Sequence, residues 1–285
     1  MIPVSFDYVR AGSVKEALNL LAAGDGSKVI AGGHSLLPLM RFRLVQAPKL
    51  VDISRLEELK GVQEFKKGVR IGAATPYADL VTSALLKERC PIVAEVAAGI
   101  ADIQVRNRGT IGGSLAHADP ASDMPAVMLA LDAEFQLRSK KGGRRTAKAR
   151  EFFQGAFATA MTEDELLTDI LIGGMGRNAA AYVSFDQAAS GYALVGVCAS
   201  IGRKRATISD AAVAFTGLAE VQFLAGSFGQ LVETKGDMAT VEKAAREALE
   251  GIEIGGDVHA PAEYRRHLGV VAAKRAVQIA YERAG

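Results

Sequence analysis

Two glycine-rich segments carry residue types suited to holding a charged ligand. They are Ala31-Gly32-Gly33-His34-Ser35-Leu36-Leu37-Pro38 and Thr110-Ile111-Gly112-Gly113-Ser114, about eighty positions apart. A glycine pair after a strand lets the main chain approach a ligand without side-chain interference, and its amides can donate to a pyrophosphate. Ser35, Thr110 and Ser114 add hydroxyl donors. With 30 glycines in the chain, either pair alone reads as an ordinary turn; the two together imply a ligand held from two sides. No Gly-x-Gly-x-x-Gly follows a strand and no Gly-Lys-Ser/Thr closes a phosphate loop, which excludes the common nucleotide patterns.

Other reactive residue types are sparse. His117 has no second histidine or cysteine at ligand spacing and reads as a loop residue, not a metal ligand. Cys90 and Cys198 are the only cysteines, whereas an iron–sulfur cluster usually takes four thiolates. The chain is therefore expected to carry no cluster and no disulfide framework of its own.

The elements that must position these segments follow a local grammar. Ser13 and Glu16 have capping-box spacing, with Val14, Ala17, Leu18 and Leu21 at one-face helical spacing and Gly24 and Gly26 as the stop. Lys28–Ala31 reads as a buried strand ending at the first glycine pair, and 50–53 and 69–73 read as further strands. Thr75-Pro76 opens a helix expected to run through Leu86, and Cys90–Ala98 suggests another. Residues 133–138 alternate as a strand should, and Thr162–Glu165 repeats the capping-box spacing before Leu166. Gly173–Asn178 is the best boundary. Beyond it, 194–201 and 206–215 flank a Gly202–Arg205 turn as a hairpin, followed by helices near 239–250 and 261–283. An antiparallel sheet with helices on one face is expected.

Composition narrows the function class. The chain has 285 residues, 49% of them hydrophobic, enough to bury a full core in two or three subdomains. Its 34 basic and 32 acidic side chains leave +2, which argues against a nucleic-acid binder. The one basic cluster, Arg138–Arg150, reads as a solvated hairpin turn, with partner docking as the sharper alternative. No apolar run reaches the ~18 residues of a membrane span, and residues 1–7 lack signal-peptide character. A cytoplasmic location is expected, and a complex at the inner membrane face is compatible with it.

The two glycine segments, Gln104-Val105-Arg106-Asn107-Arg108-Gly109 before the second of them, and Asp119-Pro120-Ala121-Ser122-Asp123 after it together resemble the medium, FAD-binding subunit of molybdenum hydroxylases. The similarity is greatest to the carbon monoxide dehydrogenase type, related to the flavin domain of xanthine dehydrogenase. It extends to Tyr8-Val9-Arg10, Ser190-Gly191-Tyr192-Ala193-Leu194-Val195-Gly196-Val197 and Ala262-Glu263-Tyr264-Arg265-Arg266-His267-Leu268, and so covers nearly the whole chain.

The resemblance implies an α+β architecture: a two-lobed FAD-binding fold of the p-cresol methylhydroxylase type, then a C-terminal domain with an antiparallel sheet and helices. The expected divisions are 1–57, 58–175 and 176–285. It implies that Ala31, Gly32, Gly33, His34, Ser35 and Leu36, with Thr110, Ile111, Gly112, Gly113 and Ser114, wrap the FAD pyrophosphate through backbone amides. Asp123 takes a contact on the adenosine side, Leu166 an apolar position beside the cofactor, and Tyr192 a place near the flavin ring. FAD is expected to be non-covalent despite His34. Many relatives carry a lysine ahead of the Tyr192 segment, where this chain offers Ser184 or Asp186; its absence should lower the tendency to hold two electrons. Expected partners are a molybdopterin-binding large subunit, a small subunit with two [2Fe-2S] clusters and an external electron acceptor. Asp123 also suits the N-cap of a buried helix and Tyr192 the core of a strand. A stand-alone FAD oxidoreductase and a non-catalytic assembly module are the competing functions.

Overall fold

Ser13 accepts a hydrogen bond from the Glu16 amide, and Glu16 accepts from the Gly12 amide, so the first helix starts where the capping spacing predicts. The computed structural model describes residues 2–188 and 190–284. Strand β1 (Asp7–Arg10) leads into α1 (Val14–Leu21), which buries Val14, Ala17, Leu18 and Leu21. Next come β2 (Lys28–Ile30), α2 (Leu36–Arg41) and β3 (Lys49–Asp52), and the three strands form a parallel sheet in the order β1-β3-β2. β2 was expected to be buried. It is an edge strand instead, and its residues are exposed or half-buried.

The second sheet begins with β4 (Val62–Phe65) and β5 (Gly68–Gly72). The helix expected from Thr75 through Leu86 is two helices, α3 (Tyr77–Thr82) and α4 (Ala84–Arg89). Ser83 breaks the run, because its extended backbone and its bond from the Leu86 amide make it the cap of a new helix. α5 (Pro91–Gly99), α6 (Ile103–Arg106), α7 (Ile111–His117) and α8 (Asp123–Ala130) follow. Strands β6 (Glu134–Ser139) and β7 (Gly143–Lys148) make the basic hairpin, with most of β7 exposed. The short α9 (Ala149–Phe152), β8 (Phe153–Gly155) and β9 (Ala158–Thr159) lead to β10 (Leu166–Ile172). Glu165 does accept from the Thr162 amide, yet a strand follows and not a helix. Every residue of β10 is buried, and it occupies the centre of the antiparallel order β4-β5-β10-β6-β7.

The C-terminal part contains β11 (Asn178–Asp186), β12 (Ala193–Lys204), β13 (Thr207–Thr216) and β14 (Phe223–Leu224) in sequential antiparallel order. Strand pairing continues through Lys204, so the hairpin turn is Arg205-Ala206, with Arg205 at φ +58°, and not Gly202–Arg205. α11 (Ala262–Arg283) packs on one face of this sheet, and α10 (Met238–Ala248) packs against α11 and shares the same apolar core. The period-2 alternation of β12 shows why the other face is also covered. Val195, Val197, Ala199 and Ile201 join the core under α10 and α11, while Cys198 joins the core of the preceding lobe. α8 fills that second face, and Met124–Ala130 are all buried because the helix lies between α5 on one side and β12 and β13 on the other.

Candidate functional site

The first glycine segment leaves β2 and turns into α2, with Gly33 at φ +76°. Gly32 is required by packing: a Cβ there would lie 2.2 Å from the Arg108 carbonyl oxygen. That close approach sets the two glycine segments side by side, since Arg108 and Gly109 lead directly into Thr110. Among the described residues, the amides of Gly33, His34, Ser35 and Leu36 have no protein acceptor. Successive unpartnered amides around a left-handed glycine form a concavity suited to an anion. Ser35 is the N-cap of α2 but makes no side-chain cap bond, so its hydroxyl is available. His34 is exposed and turns its ring back, with Nδ1 3.1 Å from the Gly32 carbonyl oxygen.

The second segment is built differently. Gly112 and Gly113 lie within α7, whose N-cap Thr110 accepts from the Gly113 amide at 3.1 Å. The amides of Ile111, Gly112 and Ser114 reach the carbonyls of Thr75, Ala73 and Thr110. A Cβ on Gly112 would meet the Ala73 Cβ at 2.5 Å. Glycine at 112 therefore serves close packing against the residues after β5. The amino end of α7, carrying positive partial charge, begins two residues after Gly109, which with Arg108 meets Gly32 of the first segment. Ser114 Oγ lies 2.8 Å from Ser122 Oγ.

Asp123 is the first residue of α8, and the cap position is Ser122. Its carboxylate accepts from the Tyr182 hydroxyl, in the strand β11. Burial pushes the Asp123 carboxyl up to about 6; the Tyr182 bond opposes this and the nearby Asp186 charge adds to it. Burial, followed by Asp123 itself, holds the Tyr182 phenol well above its ordinary range. A cavity of about 130 Å³ opens beside this pair, lined also by Glu95, Ser184, Asp186 and Gly191. Tyr182 was not singled out in the sequence, where one aromatic in a strand resembles any other.

Tyr192 is 47% exposed and so is not core. Burial of part of the ring first, then the charges of Asp119 and Asp123, raise its phenol. Leu166, at the start of β10, is only 4% exposed and belongs to the apolar cluster against which Ala31 packs. Its side chain is committed to that core. His117 packs against Phe157 with ring centroids 5.0 Å apart, and among the described residues no group of three or more acidic, histidine or cysteine side chains could hold a metal.

The C-terminal sheet holds the tail of the second segment in place, a role no motif announced. Thr216 Oγ1 lies 2.9 Å from the Pro120 and 2.8 Å from the Ser122 carbonyl oxygens. The Gly217 amide donates to Pro120, and Gln222 donates to the Asp119 carbonyl at 2.6 Å. The signal was only a Thr-Gly pair ending a strand, which is common in hairpins.

Comparison with known proteins adds an independent line. The family described as FAD binding domain in molybdopterin dehydrogenase matches residues 4–172, and the CO dehydrogenase flavoprotein C-terminal domain matches residues 180–280. The carbon monoxide dehydrogenase medium chain of Hydrogenophaga pseudoflava is 38% identical over 287 residues, covering 99% of both chains. The glyceraldehyde dehydrogenase medium chain of Sulfolobus acidocaldarius is 40% identical over 225 residues, 79% of this chain and 80% of that one. A solved chain of carbon monoxide dehydrogenase from Hydrogenophaga pseudoflava superposes with a TM-score of 0.97 at 36% identity, covering 100% of both.

Proposed function

The chain belongs to the family of FAD-binding medium subunits of molybdopterin dehydrogenases, and on that premise we propose that it carries electrons from partner [2Fe-2S] clusters through non-covalent FAD to an external acceptor. The observation that carries the cofactor placement is the turn from Gly33 to Leu36, four successive amides without a protein acceptor, set against Arg108–Thr110 by the close contact at Gly32. Ala31, Gly32, Gly33, His34, Ser35 and Leu36 form the main pyrophosphate cradle, and Thr110, Ile111, Gly112, Gly113 and Ser114 add the amino end of α7 and two hydroxyls. Asp123 and Tyr192 line the remainder of the cofactor's path, and Leu166 supports it through the core behind Ala31.

When bound, FAD supplies one- and two-electron redox chemistry. The chain's own residues bind and orient it. Proton abstraction from a substrate is not assigned to any side chain here, because hydroxylation belongs to the molybdopterin-binding large subunit and the clusters to the small subunit. The substrate of the complex is selected in the large subunit, as the different substrates in the relatives' names suggest. Asp186 and Glu95, with Asp123 itself, give the small cavity beside Asp123 a negative character, and Ser184 adds no cation to it. A cofactor bound near this cavity would find no cation there to hold negative charge, which would favour onward electron transfer. The cytoplasm is the proposed location; no described helix is long and apolar enough to cross a membrane. The divisions 1–57, 58–175 and 176–285 are proposed as two FAD-binding subdomains and the C-terminal domain.

The test is an absorption spectrum of the purified chain, with FAD added if it is colourless, before and after acid precipitation. Flavin bands near ~450 nm that leave with the supernatant are expected for dissociable FAD. Colour retained in the pellet would overturn the non-covalent assignment. Folded protein that binds no added FAD, alone or in its complex, would overturn the site. For the electron route, reduction of FAD by substrate is expected only when all three subunits are present. Turnover by the isolated chain would favour a stand-alone oxidoreductase.

A further inference from the structure

Arg265, in the first turn of α11, is an arginine with a partly exposed ion-pair partner and two buried jobs. Its side chain is 11% exposed. Nη1 donates to the Leu194 and Gly217 carbonyls, both at 3.1 Å, and Nη2 pairs with Asp257 at 2.6 Å. Each of these contacts leads to a different border of the cofactor site. Leu194 lies two residues after Tyr192. Gly217 holds Pro120 through its amide, beside the Thr216 contacts to Pro120 and Ser122. Asp257 accepts from the His259 amide at 2.9 Å, and the His259 ring receives the Gln187 side chain, with Nε2 to Nε2 at 2.7 Å. Gln187 in turn closes the Tyr192 turn, since its amide donates to the Tyr192 carbonyl at 2.8 Å and its Oε1 accepts from Ser190.

We infer that Arg265 is a positioning residue for the cofactor face: from the C-terminal domain it fixes both ends of the Tyr192 turn and the Asp119–Asp123 tail relative to one another. The inference rests on the proposed reading that Tyr192 and that tail border FAD. A planar guanidinium suits the task because it can serve two carbonyls and a carboxylate in one plane, which a lysine ammonium on a flexible stem does not reproduce. The C-terminal domain thereby sets the geometry of a site whose glycine segments lie entirely in the preceding lobe. Arg265 touches neither cradle directly, and its effect passes through Leu194, Gly217 and Asp257.

The test uses the full chain, with Arg265→Gln and Arg265→Lys, and His259→Ala as a second variant at an exposed position. The first readout needs no cofactor: amide hydrogen exchange of the FAD-free protein. Arg265→Gln is expected to speed exchange at Gln187, Gly191 and Gly217 by about tenfold or more, with core strands unchanged. Arg265→Lys is expected to recover only part of the protection. His259→Ala should loosen Gln187 and Gly191 while Gly217 stays protected. Unchanged exchange at those amides in Arg265→Gln would overturn the inference. So would an Arg265→Gln chain that fails to fold, if His259→Ala left Gln187 and Gly191 as protected as before.

The second readout is flavin fluorescence of the FAD-loaded protein, because a tyrosine against the ring quenches it and a phenylalanine does so far less. Arg265→Gln is expected to recover severalfold emission, approaching that of Tyr192→Phe. If Tyr192→Phe leaves emission unchanged while Arg265→Gln still loosens the turn, positioning of the turn stands and the placement of Tyr192 at the flavin falls.

Discussion

Asp123 occupies a place that penalises its own charge, and that makes its ionisation a stability term. Its carboxyl, ordinarily near 3.8, is raised to about 6 chiefly by burial. The folded chain therefore holds this proton more tightly than the unfolded chain does. Stability from this group is fully present below pH 4 and is lost as the pH rises through about 6. Asp123→Asn keeps an acceptor for Tyr182 and removes the charge. The FAD-free variant is expected to be more stable than the parent by about 1–3 kcal/mol at pH 8 and equal to it at pH 4, in urea unfolding followed at both pH values. It should bind FAD more weakly, because a charged acceptor lining the proposed site is gone. A variant no more stable at pH 8 would show that the parent carboxylate is better solvated than its surroundings indicate. At this scale the sequence was only half legible. Asp123 was visible through its motif, but the Tyr182 that donates to it comes from a strand 59 positions away and carries no pattern of its own.

At the scale of elements, the sequence disclosed periodic and capped segments well. α1 and α10 start at side-chain caps, and α11 and the β12–β13 hairpin lie close to where the sequence places them, so these elements rest on local properties. It disclosed less where tertiary contact decides. The Thr162–Glu165 spacing precedes β10 and not a helix, because seven consecutive buried residues fit only the centre of a sheet here. The two glycine pairs look alike in sequence yet do different work, one freeing amides around a positive φ and the other allowing α7 to approach Ala73. Gly32 joins them. In Gly32→Ala the new Cβ would meet backbone atoms at 2.2 Å and 2.8 Å, which no rotamer change relieves. The expected cost is about 1–3 kcal/mol, with the glycine segments pushed apart and FAD affinity reduced at least about tenfold. Gly255→Ala, at an exposed position with nothing within 4 Å and no positive φ, is the control expected to leave both unchanged. Equal FAD titrations for the two variants would mean that the approach of the segments does not shape the site.

Across the whole molecule, the Gly173–Asn178 break in sequence is not a break in the packed core. Ala180, Cys198 and Ala214 of the C-terminal sheet lie in the same apolar cluster as Met124, Val127 and Met128 of α8. Arg283, near the end of α11, reaches back to Glu95 of α5 at 2.9 Å. The helix α8 is apolar all round because it is walled on both sides, and its first residue is the Asp123 that borders the proposed site. Removing the C-terminal sheet would expose one flank of that helix and also remove Tyr182, Thr216 and Arg265. A fragment of residues 1–175 is accordingly expected to bind an apolar dye, to lose cooperative unfolding, and to retain FAD at least about a hundredfold less well than the full chain. A monomeric fragment that unfolds cooperatively and holds FAD as tightly as the parent would place the whole cofactor site in the glycine segments. The C-terminal domain would then be free to act only in docking partners, and its hydrogen bonds to the Asp119–Asp123 tail would be packing without consequence for FAD.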